Sequence, residues 1–168
     1  MQRDVFHFKT VEVPYDVARR FMRDDPARIF TPALDGGDGD CEQIAGSIEI
    51  DVDGIVMGAE VTLEIGDFEE VVTPLPLAKR KIGWHASEHE AIFPILVGEL
   101  EAFPIDDGRT QMTFTCHYRP PLSAVGAIAD TVYLHRVAEG CLDRFFERLI
   151  ASLIDAASEL SRSHDPGA

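Results

Sequence analysis

Residues 134–160 read LHRVAEGCLDRFFERLIASLIDAASEL. Leu134, Val137, Ala138, Cys141, Phe145, Leu149, Leu153, Ala156 and Leu160 return at steps of three and four. That period lays them along one helical face. The charges Glu139, Asp143, Arg144, Glu147, Arg148, Asp155 and Glu159 take most of the other positions. The stretch predicts one long amphipathic helix that begins near Ser123, a residue suited to cap it. Gly126 and Gly140 each cost about 1 kcal/mol against alanine in a helix, which marks a kink or a close approach near Gly140. A stripe this long needs a broad apolar partner.

That partner is a sheet. Strict alternation, the signature of a strand with one covered face, runs from Met57 to Ile65: Met57, Ala59, Val61, Leu63 and Ile65 oppose Gly58, Glu60, Thr62 and Glu64. It recurs from Ile44 to Val52 and at Met112, Phe114, Cys116 and Tyr118. Three more strands are predicted over 5–13, 77–87 and 95–103, the last two carrying Ile82 and Trp84, then Leu96 and Leu100, on their apolar faces. Asp51–Gly54 and Asp106–Gly108 read as turns. Asp16–Arg23, just after Pro14, reads as a short helix with Val17, Ala18 and Phe21 inward. The segment 35–40, DGGDGD, reads as a flexible acidic loop that lacks the spacing of a calcium-binding hand. Strands followed by a helix indicate an α+β fold. A curved antiparallel sheet of six or seven strands wraps the C-terminal helix, with short helices after the first strand. One domain spans 4–160 and a polar tail 161–168.

Composition restricts the function. The chain has 30 acidic against 15 basic residues and a formal charge of −15, which repels phosphate backbones and anionic headgroups. Nucleic acid is excluded as a partner. No apolar run approaches the roughly 20 residues of a membrane span, so membrane insertion is excluded too. The basic run Lys79-Arg80-Lys81 reads as a solvated strand. Cys41, Cys116 and Cys141 show no metal spacing, and the last two sit in apolar patterns as small core residues. The N-terminal residues lack the apolar core of a signal peptide, and a cytoplasmic location is expected. No phosphate loop, dinucleotide fingerprint or nucleophile elbow occurs, and no cofactor is expected.

The order of elements, together with Phe93–Leu100, Thr110–Tyr118, Pro120-Pro121-Leu122 and Arg136–Leu149, resembles the START-like (SRPBCC) superfamily with the birch-pollen-allergen-like helix-grip fold. The resemblance covers residues 4–160 and implies a hydrophobic cavity between sheet and helix. Members bind lipids, sterols or polyketides, and a few are cyclases or dehydratases.

The expected function is binding of a small hydrophobic molecule such as a lipid or polyketide. Its expected contacts are Leu63, Arg80, Trp84, Leu100, Phe114, Tyr118, Phe145 and Leu149. Arg80 is in phase with Ile82 and Trp84, so an inward guanidinium could anchor an acidic group. Two alternatives stand beside this. One is a cyclase or dehydratase using Arg80, His85 and Tyr118. The other is an acidic protein-interaction module with a filled core. His85, Glu88, His89 and Glu90 form the densest polar cluster and read as a solvated turn, not a metal site. Asp130 and His135 read as surface or boundary residues. The oligomeric state is open, a homodimer included.

Overall fold

Strands that follow one another from the second to the seventh pair up-and-down, and the first strand closes the far edge beside the last. The computed structural model describes residues 3–87, 95–119 and 128–163. The elements are β1 (Arg3–Val11), α1 (Tyr15–Asp24), α2 (Ala27–Phe30), a 3-10 turn (Thr31–Ala33), β2 (Asp35–Gly39), β3 (Gln43–Val52), β4 (Ile55–Val71), β5 (Leu77–Ala86), β6 (Ile95–Pro104), β7 (Thr110–Arg119) and α3 (Ile128–Ser163). The seven strands form one antiparallel sheet in the order β1-β7-β6-β5-β4-β3-β2. The 36-residue α3, roughly 54 Å long, packs on the inward face of the sheet. The α+β helix-grip arrangement is the one the sequence predicts.

Local chemistry sets the turns. Asp53 and Gly54 join β3 to β4 with φ of 55° and 82°, the paired positive values that a two-residue hairpin needs. The Gly54 N–H donates to Asp51 Oδ1 at 2.8 Å and closes the turn. At the β6–β7 turn, Asp106 accepts from the Gly108 N–H at 3.0 Å and from Arg109 Nε at 2.7 Å.

Three readings need correction. The segment 35–39 is not a flexible loop but the edge strand β2, which pairs with β3. Arg148 of α3 holds it by donating to Asp35 Oδ1 at 2.5 Å. Gly37 allows β2 to lie on the 3-10 turn, because a Cβ there would come 2.2 Å from the Thr31 carbonyl oxygen. Second, β4 continues six residues past Ile65, to Val71. A bulge between Ile65 and Phe68 shifts the register there and ends the alternation that marked the strand. Third, the apolar stripe of α3 is wider than a single row, since Leu142, Phe146 and Ile150 are buried beside Cys141, Phe145 and Leu149. The proposed cap Ser123 and Gly126 lie outside the described residues.

Phe145 is the hub of the core. Its ring meets Trp84 edge-on at 5.3 Å, Phe114 at 5.9 Å and Phe30 in a stacked pair at 6.4 Å. It is 0% exposed, so no water-sized space lies against it. Phe145→Ala is therefore expected to cost about 3–5 kcal/mol in urea unfolding, the sum of lost burial and a residual cavity. A cost below about 1 kcal/mol would contradict close packing at this point.

Candidate functional site: the concave face of the sheet

Alternation assigns the residues of β3, β5, β6 and β7, and of β4 up to its bulge, to a face. The concave face carries Ile44, Ile48, Ile50 and Val52 from β3, Ala59, Val61, Leu63 and Ile65 from β4, and Ala78, Ile82, Trp84 and Ala86 from β5, all buried. β6 and β7 add Leu96, Leu100, Ala102, Met112, Phe114 and Cys116. Gly98 stands among them because a Cβ would come 2.8 Å from Cys116 Cβ. Of the residues expected to contact a ligand, Leu63, Trp84, Leu100, Phe114, Phe145 and Leu149 come together under α3 and are buried. The backbone of Tyr118 pairs with Leu96 and Arg3, and its side chain lies outside the described residues.

The covering by α3 is uneven. Leu63, Leu100, Phe114 and Phe145 are 0% exposed, whereas Ile50, Val52, Ala59, Trp84 and Ala86, toward one end of β3, β4 and β5, keep 3–7%. Ile65, beside the β4 bulge, also keeps 7%. Gly140 of α3 sits over Ile50, where an added Cβ would find only ordinary contact at 3.7 Å. The space does not demand glycine there.

Arg80 is the one cationic side chain of β5 in phase with Ile82 and Trp84. It is opposite Phe68 on β4 and Leu100 on β6, and it is half-buried. Its Nε is buried without a hydrogen-bond partner, and burial pushes its pKa down. The adjacent His85 points the other way. It is on the convex face, 46% exposed and 3.9 Å from Glu64. Arg80 and His85 therefore do not converge, and Glu88, His89 and Glu90 lie outside the described residues. His135 pairs with Glu139 along α3 at 3.0 Å, and the side chain of Asp130 lies outside the described residues. Among the described residues no cluster of His, Cys, Asp or Glu could hold a metal ion.

Two polar groups escaped the sequence reading. His7 on β1 faces inward opposite Phe114; its Nδ1 is 3.1 Å from Asp143 Oδ1, its ring lies 5.9 Å from that of Phe146, and its Nε2 is buried and unpartnered. Tyr15 and Arg19, one turn apart on α1, descend on the end of β4. Arg19 pairs with Glu70 at 3.1 Å, while Tyr15 Oη and Arg19 Nε are buried without partners. Burial, followed by the nearby Glu70, raises the Tyr15 pKa. Period-two spacing marks His7 as inward, but its partner Asp143 is more than a hundred residues away. Tyr15 carries no signal until α1 is docked.

An open groove of about 360 Å³ lies elsewhere, on the convex face, among Lys81, Val97, Glu99, Glu101, Thr115 and His117, with Gly98 at its floor. Its charges are largely satisfied, since Lys79 bridges Glu99 at 2.9 Å and Glu101 at 2.7 Å. Those two hydrogen bonds raise the Lys79 pKa.

No family model matches the chain, and no curated protein matches it in sequence. Solved structures do. The chain resembles the Zhui aromatase/cyclase from Streptomyces sp. R1128 at a TM-score of 0.55 and 18% identity, covering 100% of both chains. It resembles norcoclaurine synthase of Thalictrum flavum, a point mutant in complex with a transition-state analogue, at 0.56 and 9%, covering 93% of this chain and 96% of that one. A conserved protein of Geobacillus kaustophilus follows at 0.51 and 14%, covering 92% and 97%. These likenesses establish the helix-grip fold. No described helix is long and apolar enough to cross a membrane.

Cys141, buried on the inward face of α3, supplies a pH test. Burial pushes its thiol from the ordinary 9.0 up to about 12. The folded chain thus keeps a proton that the unfolded chain loses, so this contribution to stability is complete below pH 9 and is lost as pH rises toward 12. Unfolding free energy measured between pH 8 and 11 is expected to fall more steeply for the wild type than for Cys141→Ala. Parallel curves would contradict a desolvated thiol.

Proposed function

We propose that the protein binds a small hydrophobic molecule, of lipid or polyketide type, on the concave face between the sheet and α3. The observation that carries this reading is the uneven cover of an aromatic-rich apolar face. The core is closed around Phe145, and it is incompletely covered around Ile50, Val52, Ala59, Trp84 and Ala86. Apolar walls with few polar groups are the usual lining of small-molecule sites. Leu63, Arg80, Trp84, Leu100, Phe114, Phe145 and Leu149, with Tyr118, are the proposed contacts.

A ligand larger than a few atoms must displace part of this packing. The weakest place in the covering helix is Gly140, which costs about 1 kcal/mol against alanine and stands over Ile50. The part of α3 before Gly140 is the part that gives way. The aromatase/cyclase and the norcoclaurine synthase that share the fold are named for chemistry on small organic molecules. That supports the general class and no particular ligand.

The single tryptophan, Trp84, reports directly on this face. Titration with the neutral probe N-phenyl-1-naphthylamine is expected to quench Trp84 fluorescence saturably at one probe per chain. Gly140→Ala is expected to stabilise the fold by up to about 1 kcal/mol and to slow uptake. Absence of saturable binding by folded protein would remove the reading.

A second reading, acid–base catalysis of the cyclase or dehydratase kind, is favoured by the His7–Asp143 pair. A carboxylate on Nδ1 leaves Nε2 to exchange a proton, and Nε2 here is buried without a partner. Formation of an aromatic chromophore from a poly-β-ketone thioester by the wild type, lost in His7→Gln, would support it. No turnover by the wild type would count against it.

A further inference from the structure

The concave face has a surplus of hydrogen-bond donors at one corner. In a chain with 30 acidic residues against 15 basic ones, the expected defect is an acidic group without a cation. The reverse occurs under α1. Tyr15 Oη and Arg19 Nε are buried there without an acceptor, and so is Arg80 Nε on β5. α1 packs on β5 and β6. Tyr15 and Arg19 come down at Glu70, which is paired with Ala78, and Arg80 is two residues further along the same inward face of β5.

The three groups differ in what they lack. The terminal nitrogens of Arg19 already serve Asp16 at 3.3 Å and Glu70 at 3.1 Å, so its charge is met. Arg80 makes no ion pair among the described residues. The groups acting on it electrostatically are Cys41 and Asp67, and the Asp67 side chain is 85% exposed and lies 3.9 Å from Lys81 Nζ. A half-desolvated guanidinium without an anion is costly, and its immediate neighbours on its own face, Phe68, Leu100 and Ile82, supply none.

We infer that Arg80 seats the acidic group of an amphipathic ligand: an apolar body ending in a single carboxylate. This rests on the reading that a hydrophobic molecule occupies the concave face. A carboxylate fits because its two oxygens match the planar fork of a guanidinium. A monoanion fits better than a phosphate, because Arg80 offers a single positive charge and the Asp67 carboxylate adds negative charge nearby. The apolar body follows from the direction of β5. Ile82 and Trp84 continue the face from Arg80, and Trp84 is four residues on, roughly 13 Å at 3.3 Å per residue. The incompletely covered Ile65 is beside the acidic end, and Trp84 and Ala86 are at the apolar end.

The test compares 11-(dansylamino)undecanoic acid with its methyl ester by dansyl fluorescence at pH 7. Wild type is expected to bind the acid about tenfold or more tightly than the ester, as one charge-assisted contact allows. Arg80→Met keeps the apolar stem and should bring the acid-to-ester affinity ratio to about one; a circular dichroism spectrum and urea midpoint like those of the wild type show that the variant is folded. Equal wild-type affinity for acid and ester, or a preference that survives Arg80→Met, would overturn the carboxylate seat and leave hydrophobic binding standing. Binding of neither probe by the wild type would overturn both.

Discussion

The fold depends on one contact surface, the apolar stripe of α3 pressed into the concave face of the sheet. A seven-stranded antiparallel sheet with one apolar side has no stable form in water unless that side is covered. Neither α1 nor α2 is long enough to do so. α3 is, and Phe145 shows how the cover works: strands β5 and β7, the short helix α2 and α3 all meet at its ring through Trp84, Phe114 and Phe30. Secondary supports follow from that docking. Arg148 reaches Asp35 on β2, Arg28 bridges Glu159, and Arg136 reaches Asp53 at 2.7 Å. These pairs are exposed or half-buried, so each adds little stability beside the buried surface.

The same constraint explains where chemistry collects. A straight helix cannot cover a curved sheet equally along its whole length. The cover is complete around Phe145 and thins toward the β3–β4 hairpin, where Gly140 weakens the helix. Polar side chains that face inward at the margins, His7 under Asp143 and Arg80 between Phe68 and Leu100, are left with buried atoms that the protein does not satisfy. In a core otherwise built from aliphatic and aromatic groups, such atoms are the places where a bound molecule gains most from a matching group.

Much of the fold was legible because one face of each long strand is buried and the other wet. β3, the first half of β4, and β7 announce themselves by alternation, and α3 by its period. β2 was not legible: DGGDG has no apolar alternation, and its pairing comes from β3 and from an arginine 113 residues away. The end of β4 was lost at the bulge, where the phase changes. In the site, the inward phase of Arg80 and Trp84 could be read directly. The same parity already placed His85 on the opposite face, which the expectation of a joint site with Arg80 overlooked. His7 and Tyr15 were hidden for a different reason. Their significance arises only when α3 and α1 dock, and single-strand patterns carry no information on that.

The central claim, that sheet and α3 are one cooperative unit closed at Phe145, is tested most directly by native-state hydrogen exchange. Amides of α3 between Cys141 and Leu153 and those in the middle of β5, β6 and β7 are expected to exchange only through global unfolding, with the same free energy and the same dependence on denaturant. Exchange of the α3 amides at a clearly lower free energy, with the sheet still protected, would contradict it.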